Sequence, residues 1–285
     1  MDPVGPSEWL WKEGGGFYTE KESDLREKPS LPDERYVRDQ RLMRLFREHG
    51  RVSPGAEVLE IGCGRSSWLP YLGHAARCHI SGIEIEPHAA SLARANLAGA
   101  GVDGRIYCRD GFDLDQNADL WGRFDLVYSL GVIEHLEHVS DKLRILARYL
   151  KPDGRLISVV PNLRGLNWVL QRCGSLAVLQ AHVLYTTRTL RRVHEEAGFE
   201  TVTTEYLGFF DGLLTLAAGE SALRQALHGT VCRLLHLSSV AWSRAGFPTP
   251  EWPWTAPLVV YAGMRSAEQK TRPPAIQSTE IALSI

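Results

Sequence analysis

Short apolar runs recur through the middle of this chain, each closed by glycine, proline or a charged residue, and they alternate with stretches whose apolar positions repeat at helical spacing. The runs Glu57 to Ile61, Cys78 to Glu84, Arg105 to Cys108, Phe124 to Leu130 and Arg155 to Val160 have the length of strands rather than helices. Between them, Pro87 to Ala98, with proline in its first turn, and Val139 to Leu150 read as helices. Ahead of them, Val37, Leu42, Leu45 and Phe46 fall on one face of a helix over Glu34 to His49, with Gly50 as its stop. This alternation predicts an α/β fold, doubly wound, with a mostly parallel sheet and helices on both faces, because parallel strands need a crossover and a helix supplies it.

The pattern changes after Pro161. A helical stretch runs from about Leu163 to Leu179, Thr186 to Ala197 reads as a helix stopped by Gly198, and Phe199 to Phe209 as a strand. An insertion at 210–256 precedes Pro257 to Gly263, which reads as a final edge strand. Within it Leu223, Leu227, Val231, Leu234 and Leu235 recur at helical spacing with Arg224, His228 and Arg233 among them. Such a helix can cap a substrate site, touch a membrane surface through 210–245, or simply pack. Residues 1–34 carry Trp9, Trp11, Phe17 and Tyr18 in a Gly-, Pro- and charge-rich setting, the composition of an arm or lid over a domain at 35–265. The polar tail, 266–285, reads as disordered.

Composition narrows the class. A chain of 285 residues with 44% hydrophobic content can bury one sizeable core. A formal charge of -2 gives no global basic field, so nucleic acid is not an expected partner. The five cysteines, Cys63, Cys78, Cys108, Cys173 and Cys232, are odd in number and lack C-x-x-C spacing, which argues against a zinc knuckle and a disulfide framework. With no signal-like apolar core near Asp2 and Pro3 and no run of membrane-span length, a reduced, cytoplasmic enzyme is the expectation.

The chemistry centres on Val58-Leu59-Glu60-Ile61-Gly62-Cys63-Gly64-Arg65-Ser66. A strand that stops at two glycines one residue apart can turn tightly with bare backbone facing a ligand. Glu84 follows Gly62 by 22 residues, near the spacing at which a carboxylate reaches a ribose in wound α/β folds. Glu86 is the nearby competitor for that role. A dinucleotide fingerprint wants a third glycine where Ser67 stands, and Glu60 is a poor neighbour for a pyrophosphate. S-adenosylmethionine, with an ammonium and a sulfonium beside its adenosine, suits the acidic turn better than NAD, the cofactor of the rival oxidoreductase reading.

Five segments in order carry a family resemblance: VLEIGCGRS, then SGIEIEP (Ser81 to Pro87), CRDGF (Cys108 to Phe112), FDLVYSLGVIEHL (Phe124 to Leu136) and LKPDGRLISVVPN (Leu150 to Asn162). From roughly Arg51 to Phe210 the chain resembles a class I S-adenosylmethionine-dependent methyltransferase with a Rossmann-like fold. The resemblance implies a seven-stranded sheet with an antiparallel last strand, to which 210–256 would be a helical addition. It implies S-adenosylmethionine as cofactor, with Gly62 and Gly64 beside its methionine part and Glu60 on the ammonium, directly or through water. Glu84 would accept from the ribose hydroxyls and Asp110 from the adenine amino group. Gly111 and Phe112 would line the ring, while Leu130 and Gly131 close the fourth strand at the switch point.

The chain lacks the Asn/Asp-Pro-Pro-aromatic motif of amino-methylating DNA and glutamine enzymes and the Pro-Cys pair of cytosine C5 enzymes. His135, in Glu134-His135-Leu136, is the candidate catalytic residue, either as base toward a hydroxyl or as a residue that shapes the site. Glu134, His135 and His138 resemble part of a metal-binding set in some relatives, but Gly131 stands where those have a further glutamate, so no metal is expected. Glu134-His135, Pro161-Asn162 and the stretch from Thr189 to Phe199 are most similar to a broad bacterial group that includes quinone-biosynthesis and small-molecule O-methyltransferases. That implies methyl transfer by in-line displacement to a small-molecule acceptor, apolar or aromatic, through oxygen. A protein lysine methyltransferase, which Gly62-Cys63-Gly64-Arg65-Ser66 also resembles, and a non-catalytic S-adenosylmethionine-binding protein are the alternatives.

Overall fold

The computed structural model describes residues 21–174, 176–210 and 222–266. The aromatic anchors expected at Trp9, Trp11, Phe17 and Tyr18, the tail beyond Ser266 and part of the 210–256 insertion lie outside the described residues.

The strands are β1 (Glu57–Ile61), β2 (His79–Glu84), β3 (Gly104–Cys108), β4 (Phe124–Leu130), β5 (Leu150–Pro161), β6 (Phe199–Leu207) and β7 (Leu258–Arg265). They form one sheet in the order β3-β2-β1-β4-β5-β7-β6. The first five strands pair in parallel and β7 runs antiparallel to both its neighbours. Strand alternation assigns the two faces. Val58, Leu126, Tyr128, Val260 and Ala262 bury into one core; Leu59, Ile61, Val127, Val259 and Tyr261 bury into the other.

Helices cover both faces. The first core is closed by α2 (Val37–His49), α3 (Trp68–Ala75) and α4 (Pro87–Gly99), through Phe46, Trp68, Leu69 and Ala93. The second is closed by α5 (Val139–Tyr149) and α8 (Thr187–Glu196), through Leu143, Leu146 and Leu190. A short α1 (Glu22–Glu27) packs Leu25 against Leu92 and Ala95 of α4. The region expected as an arm is therefore strapped to the domain over its described part.

One expectation needs correction. Pro257 to Gly263 was expected as an edge strand; β7 instead lies between β5 and β6, and β6 is the edge. The physical signal is the unbroken run Leu258-Val259-Val260-Tyr261-Ala262, every residue buried, which is the signature of a strand covered on both faces. The helical stretch expected over Leu163 to Leu179 is present as α6 (Gly165–Gly174) and α7 (Leu176–Gln180). The insertion does carry a helix, α9 (Ala222–Arg244), which packs on α2. No helix among the described residues is long and apolar enough to cross a membrane.

Candidate functional site

Because β3, β2, β1 and β4 are parallel neighbours in register, the residue after each strand comes to the same edge of the sheet. Ile61 pairs with Ile83 and with Ser129, and Glu84 with Cys108. Gly62, Glu84, Asp110 and Leu130, scattered through the sequence, thus stand in a row at the C-terminal ends of the strands, beside the switch point between β1 and β4 where ligands bind in wound α/β folds.

The first turn is built from glycine conformations. Gly62 and Gly64 have φ of 68° and 43°, the left-handed region, and a side chain at Gly62 would also strike Val132. Glu84 ties this turn down: Gly64 N–H donates to its Oε2 at 2.8 Å and Glu86 N–H to its Oε1 at 3.0 Å. Ile85 N–H contributes as well, so backbone donors fill part of its acceptor capacity and the rest is left for hydroxyl donors. Glu86 has a different task, accepting from His88 N–H and Ala89 N–H as the N-cap of α4.

Glu60 lies beneath the turn rather than on it. Its carboxyl is buried and accepts from Tyr128 OH at 2.8 Å and from the Ser66 hydroxyl. Ser66 Oγ in turn accepts from Trp68 N–H and Leu69 N–H, so one chain of bonds links β4, β1 and the start of α3. Burial pushes Glu60 up to about 8, opposed by its hydroxyl donors and reinforced by the charge of Glu84. Glu84 is raised by burial as well. Two desolvated carboxyls under one glycine turn form an environment that a cation relieves and a phosphate aggravates.

Asp110 uses Oδ1 to accept from Phe112 N–H at 2.8 Å, the Asx turn its Asp-Gly context suggests, while Tyr149 OH donates to the Gly111 carbonyl. These groups flank the turn on the β3 side. On the β4 side a cavity of about 510 Å³ opens, lined by Arg65 and Trp68 next to the turn, Leu130, Gly131, Glu134 and His135 at the end of β4, and Leu31 and Leu163 farther out.

Glu134 and His135 form a single helical turn over Ile133–His135. His135 Nδ1 lies 3.3 Å from the Ala181 carbonyl, which can only accept; Nδ1 therefore carries the hydrogen and Nε2 the lone pair. Burial, then the charge of neighbouring His182, holds this imidazole down to about 4, so it is neutral at physiological pH. Burial pushes Glu134 up to about 8, and its Oε2 has no hydrogen-bond partner. Glu134, His135 and His182 bring their donor atoms within 4.8 Å of one another, a carboxylate and two imidazoles of the kind transition cations take. His138, which the E-H-x-x-H spacing suggested, is exposed and stands outside this group.

Sequence reasoning missed two residues here. His182, in the loop after α7, makes an edge contact with His135 at 4.3 Å, and nothing in its local sequence marks it. Asn96 was more readable, a lone amide on the buried face of α4. It accepts from Ser30 N–H at 2.6 Å and donates to the carbonyls of Ser30 and Ser66, joining the N-terminal strap to the first turn.

The buried ionisable groups set a stability profile. His194 on α8 is fully buried, its Nδ1 donating to the Leu190 carbonyl and its Nε2 accepting from Ser158 OH, and burial holds it down to about 3. His194 and His135 lose stabilisation as pH falls below their unfolded value near 6.5; Glu60 and Glu134 lose it as pH rises above theirs near 4.5, toward about 8. Between 4.5 and 6.5 the two pairs oppose each other, so thermal melts should show a plateau there and a decline on both sides. His194→Phe, melted over the same range, should flatten the acid limb; an unchanged acid limb would remove His194 from this account.

Comparisons agree with the geometry. Residues 33–204, more than half of the chain, match the methyltransferase domain family. Methyltransferase GfsG of Streptomyces halstedii is 28% identical over 131 residues, covering 45% of this chain and 46% of that protein. The ubiquinone biosynthesis O-methyltransferase of Xanthomonas axonopodis pv. citri is 31% identical over 120 residues, covering 40% of this chain and 47% of that protein. These alignments span less than half of each relative. The geranyl diphosphate C-methyltransferase of Streptomyces coelicolor A3(2) shares the fold, with a TM-score of 0.52 at 15% identity over 78% of this chain and 77% of that one. With its sheet order, its row of turn residues and this family match, the chain belongs to the class I S-adenosylmethionine-dependent methyltransferases.

Proposed function

We propose that this chain moves a methyl group from S-adenosylmethionine to a small-molecule acceptor, apolar or aromatic, through an oxygen nucleophile. The observation that carries the donor is the pair of desolvated carboxyls, Glu60 and Glu84, under a glycine turn. Glu84 and the backbone of Gly62 and Gly64 would hold the cofactor, with Asp110 and Gly111 at its adenine end and Leu130 beside its methionine end. The cofactor supplies an electrophilic methyl on a cationic sulfur.

For the acceptor, the supporting observation is the cavity, which runs from Gly131 and Glu134 out to Leu31 and Leu163. As the acceptor oxygen bonds to the methyl carbon and the carbon–sulfur bond breaks, the hydroxyl proton must leave. Neutral His135 would take it, though a base held down to about 4 accelerates this step less than one tuned near neutrality. Most of the acceleration then rests on holding donor and acceptor in line, an effect worth up to roughly 7–11 kcal/mol. The quinone relative's name is consistent with an apolar oxygen acceptor.

Calorimetry with S-adenosylmethionine and with NAD tests the donor; tight NAD binding without a response to S-adenosylmethionine would sink the reading. Label transfer from methyl-labelled cofactor into lipid, small-molecule and protein fractions tests the acceptor. Label in the protein fraction alone would assign the chain to protein methylation. His135→Ala should lower turnover while sparing cofactor affinity.

A further inference from the structure

The helix α9 is inverted for a packing helix. Two of its polar residues face the domain: Ser239 is buried and donates to the Phe209 carbonyl, and His236 meets Tyr36 with ring centroids 3.8 Å apart. Three of its leucines face out, Leu227, Leu234 and Leu237, exposed by 65%, 61% and 56%. The spacing of seven and then three residues makes them one stripe along the helix.

The apolar exposure continues past the helix. Trp242 packs on Phe247 and donates from its indole N–H to the Pro248 carbonyl. The chain then presents Trp252 and Trp254, exposed by 62% and 71%. The Trp254 carbonyl accepts from Leu166 N–H, which seats this loop on the first turn of α6, where Trp168 and Val169 are also exposed. A soluble surface does not ordinarily gather tryptophan and leucine in this way.

Charge identifies the occupant. From Asn162 to His194 and from Ala222 to Pro250 the sequence contains arginine but no Asp or Glu, within a chain whose net charge is -2. Arg164, Arg172, Arg233 and Arg244 are exposed, and none makes an ion pair among the described residues. Arg172 lies over the Trp168 ring at 5.5 Å, so cation and aromatic are presented together. A second copy of this chain is a poor fit, because a twofold contact would set these arginines against one another, and Glu251, the carboxylate of the 247–254 loop, is already paired with Arg41 and Arg44. Tryptophan and leucine flanked by unpaired arginine are the chemistry of the bilayer interface, where rings sit at headgroup depth and guanidinium groups meet lipid phosphates.

We propose that this face, formed by α9, the 247–254 loop and α6, docks on an anionic bilayer surface. The cavity opens beside it, since Leu163 and Gln171 line the cavity and flank or belong to α6. An acceptor dissolved in the membrane would thus have a short path to His135. That last step rests on the acceptor reading above, whereas the docking does not.

The test is flotation of the full chain with liposomes of phosphatidylcholine alone and of phosphatidylcholine mixed equally with phosphatidylglycerol. Binding is expected to the mixed vesicles, to fall as salt is raised, and to weaken roughly 25-fold in the double variant Arg172→Gln/Arg233→Gln, about fivefold per guanidinium. Leu234→Glu and Trp254→Glu should abolish it, with circular dichroism and thermal melts confirming that the variants fold. Absence of flotation, equal flotation on neutral vesicles, or a dimer in the absence of lipid that Leu234→Glu disperses would each overturn the proposal. Flotation without label transfer would leave the docking standing and remove only the acceptor reading.

Discussion

Glu84→Ala should lower S-adenosylmethionine affinity roughly 100- to 1000-fold. The carboxyl is asked to do two things, and alanine removes both. It accepts from Gly64 N–H and Glu86 N–H, which fixes the first turn against the end of β2, and in the proposed site its remaining acceptor capacity would take the ribose hydroxyls. Hydrogen bonds to a charged group contribute about 1.5–3 kcal/mol each, so the loss of two near the lower end, about 3–4 kcal/mol together, gives the stated range. Titration calorimetry of the variant with S-adenosylmethionine checks it, and an affinity within threefold of the parent chain would take Glu84 out of the site. Glu86→Ala is the control, because that side chain caps α4 and its loss should cost about 1 kcal/mol of stability while leaving the cofactor bound.

The largest stability effect is expected at Phe46→Ala. Phe46 is fully buried where α2 crosses the sheet, with ring centroids 5.3 Å from Trp68 and 5.0 Å from Tyr128. Truncation removes the packing of a whole ring and leaves a cavity between two others, a cost of about 3–5 kcal/mol. In a domain of this size that should lower the melting temperature by roughly 10 °C. Tyr128 is the donor to Glu60, so a loosened Tyr128 ring should also weaken cofactor binding, by less than Glu84→Ala does. A melting shift of only a degree or two would mean that the rings close over the gap.

Strands β1 and β4 were legible to the residue, because each is a short apolar run with punctuation at both ends. The helix α3 was not singled out, since Trp68-Leu69-Pro70-Tyr71-Leu72-Gly73 carries a proline and a glycine; proline is tolerated there only because it falls in the first turn. The row from Gly62 to Leu130 could be anticipated because parallel strands deliver their ends to one edge. The other half of the site could not. His182 and Ser30 reach the cavity through tertiary packing of a loop and a strap, and neither lies on a periodic element whose pattern could announce it. Glu60 shows the opposite limit: its place in the motif was plain, but only the three-dimensional neighbourhood of Tyr128 and Ser66 reveals that it braces the turn from below.

The interior position of β7 has a consequence for how the chain is made. Among the described residues β6 bonds to no strand but β7, and β7 begins only at Leu258. A ribosome therefore releases β1 to β5 and their helices well before β6 has anything to pair with. During that interval α9, with its outward leucines, emerges on a domain whose sheet still has an open border. Any cut ahead of Leu258 removes two strands from the sheet, not one, and leaves β5 as an unpaired edge.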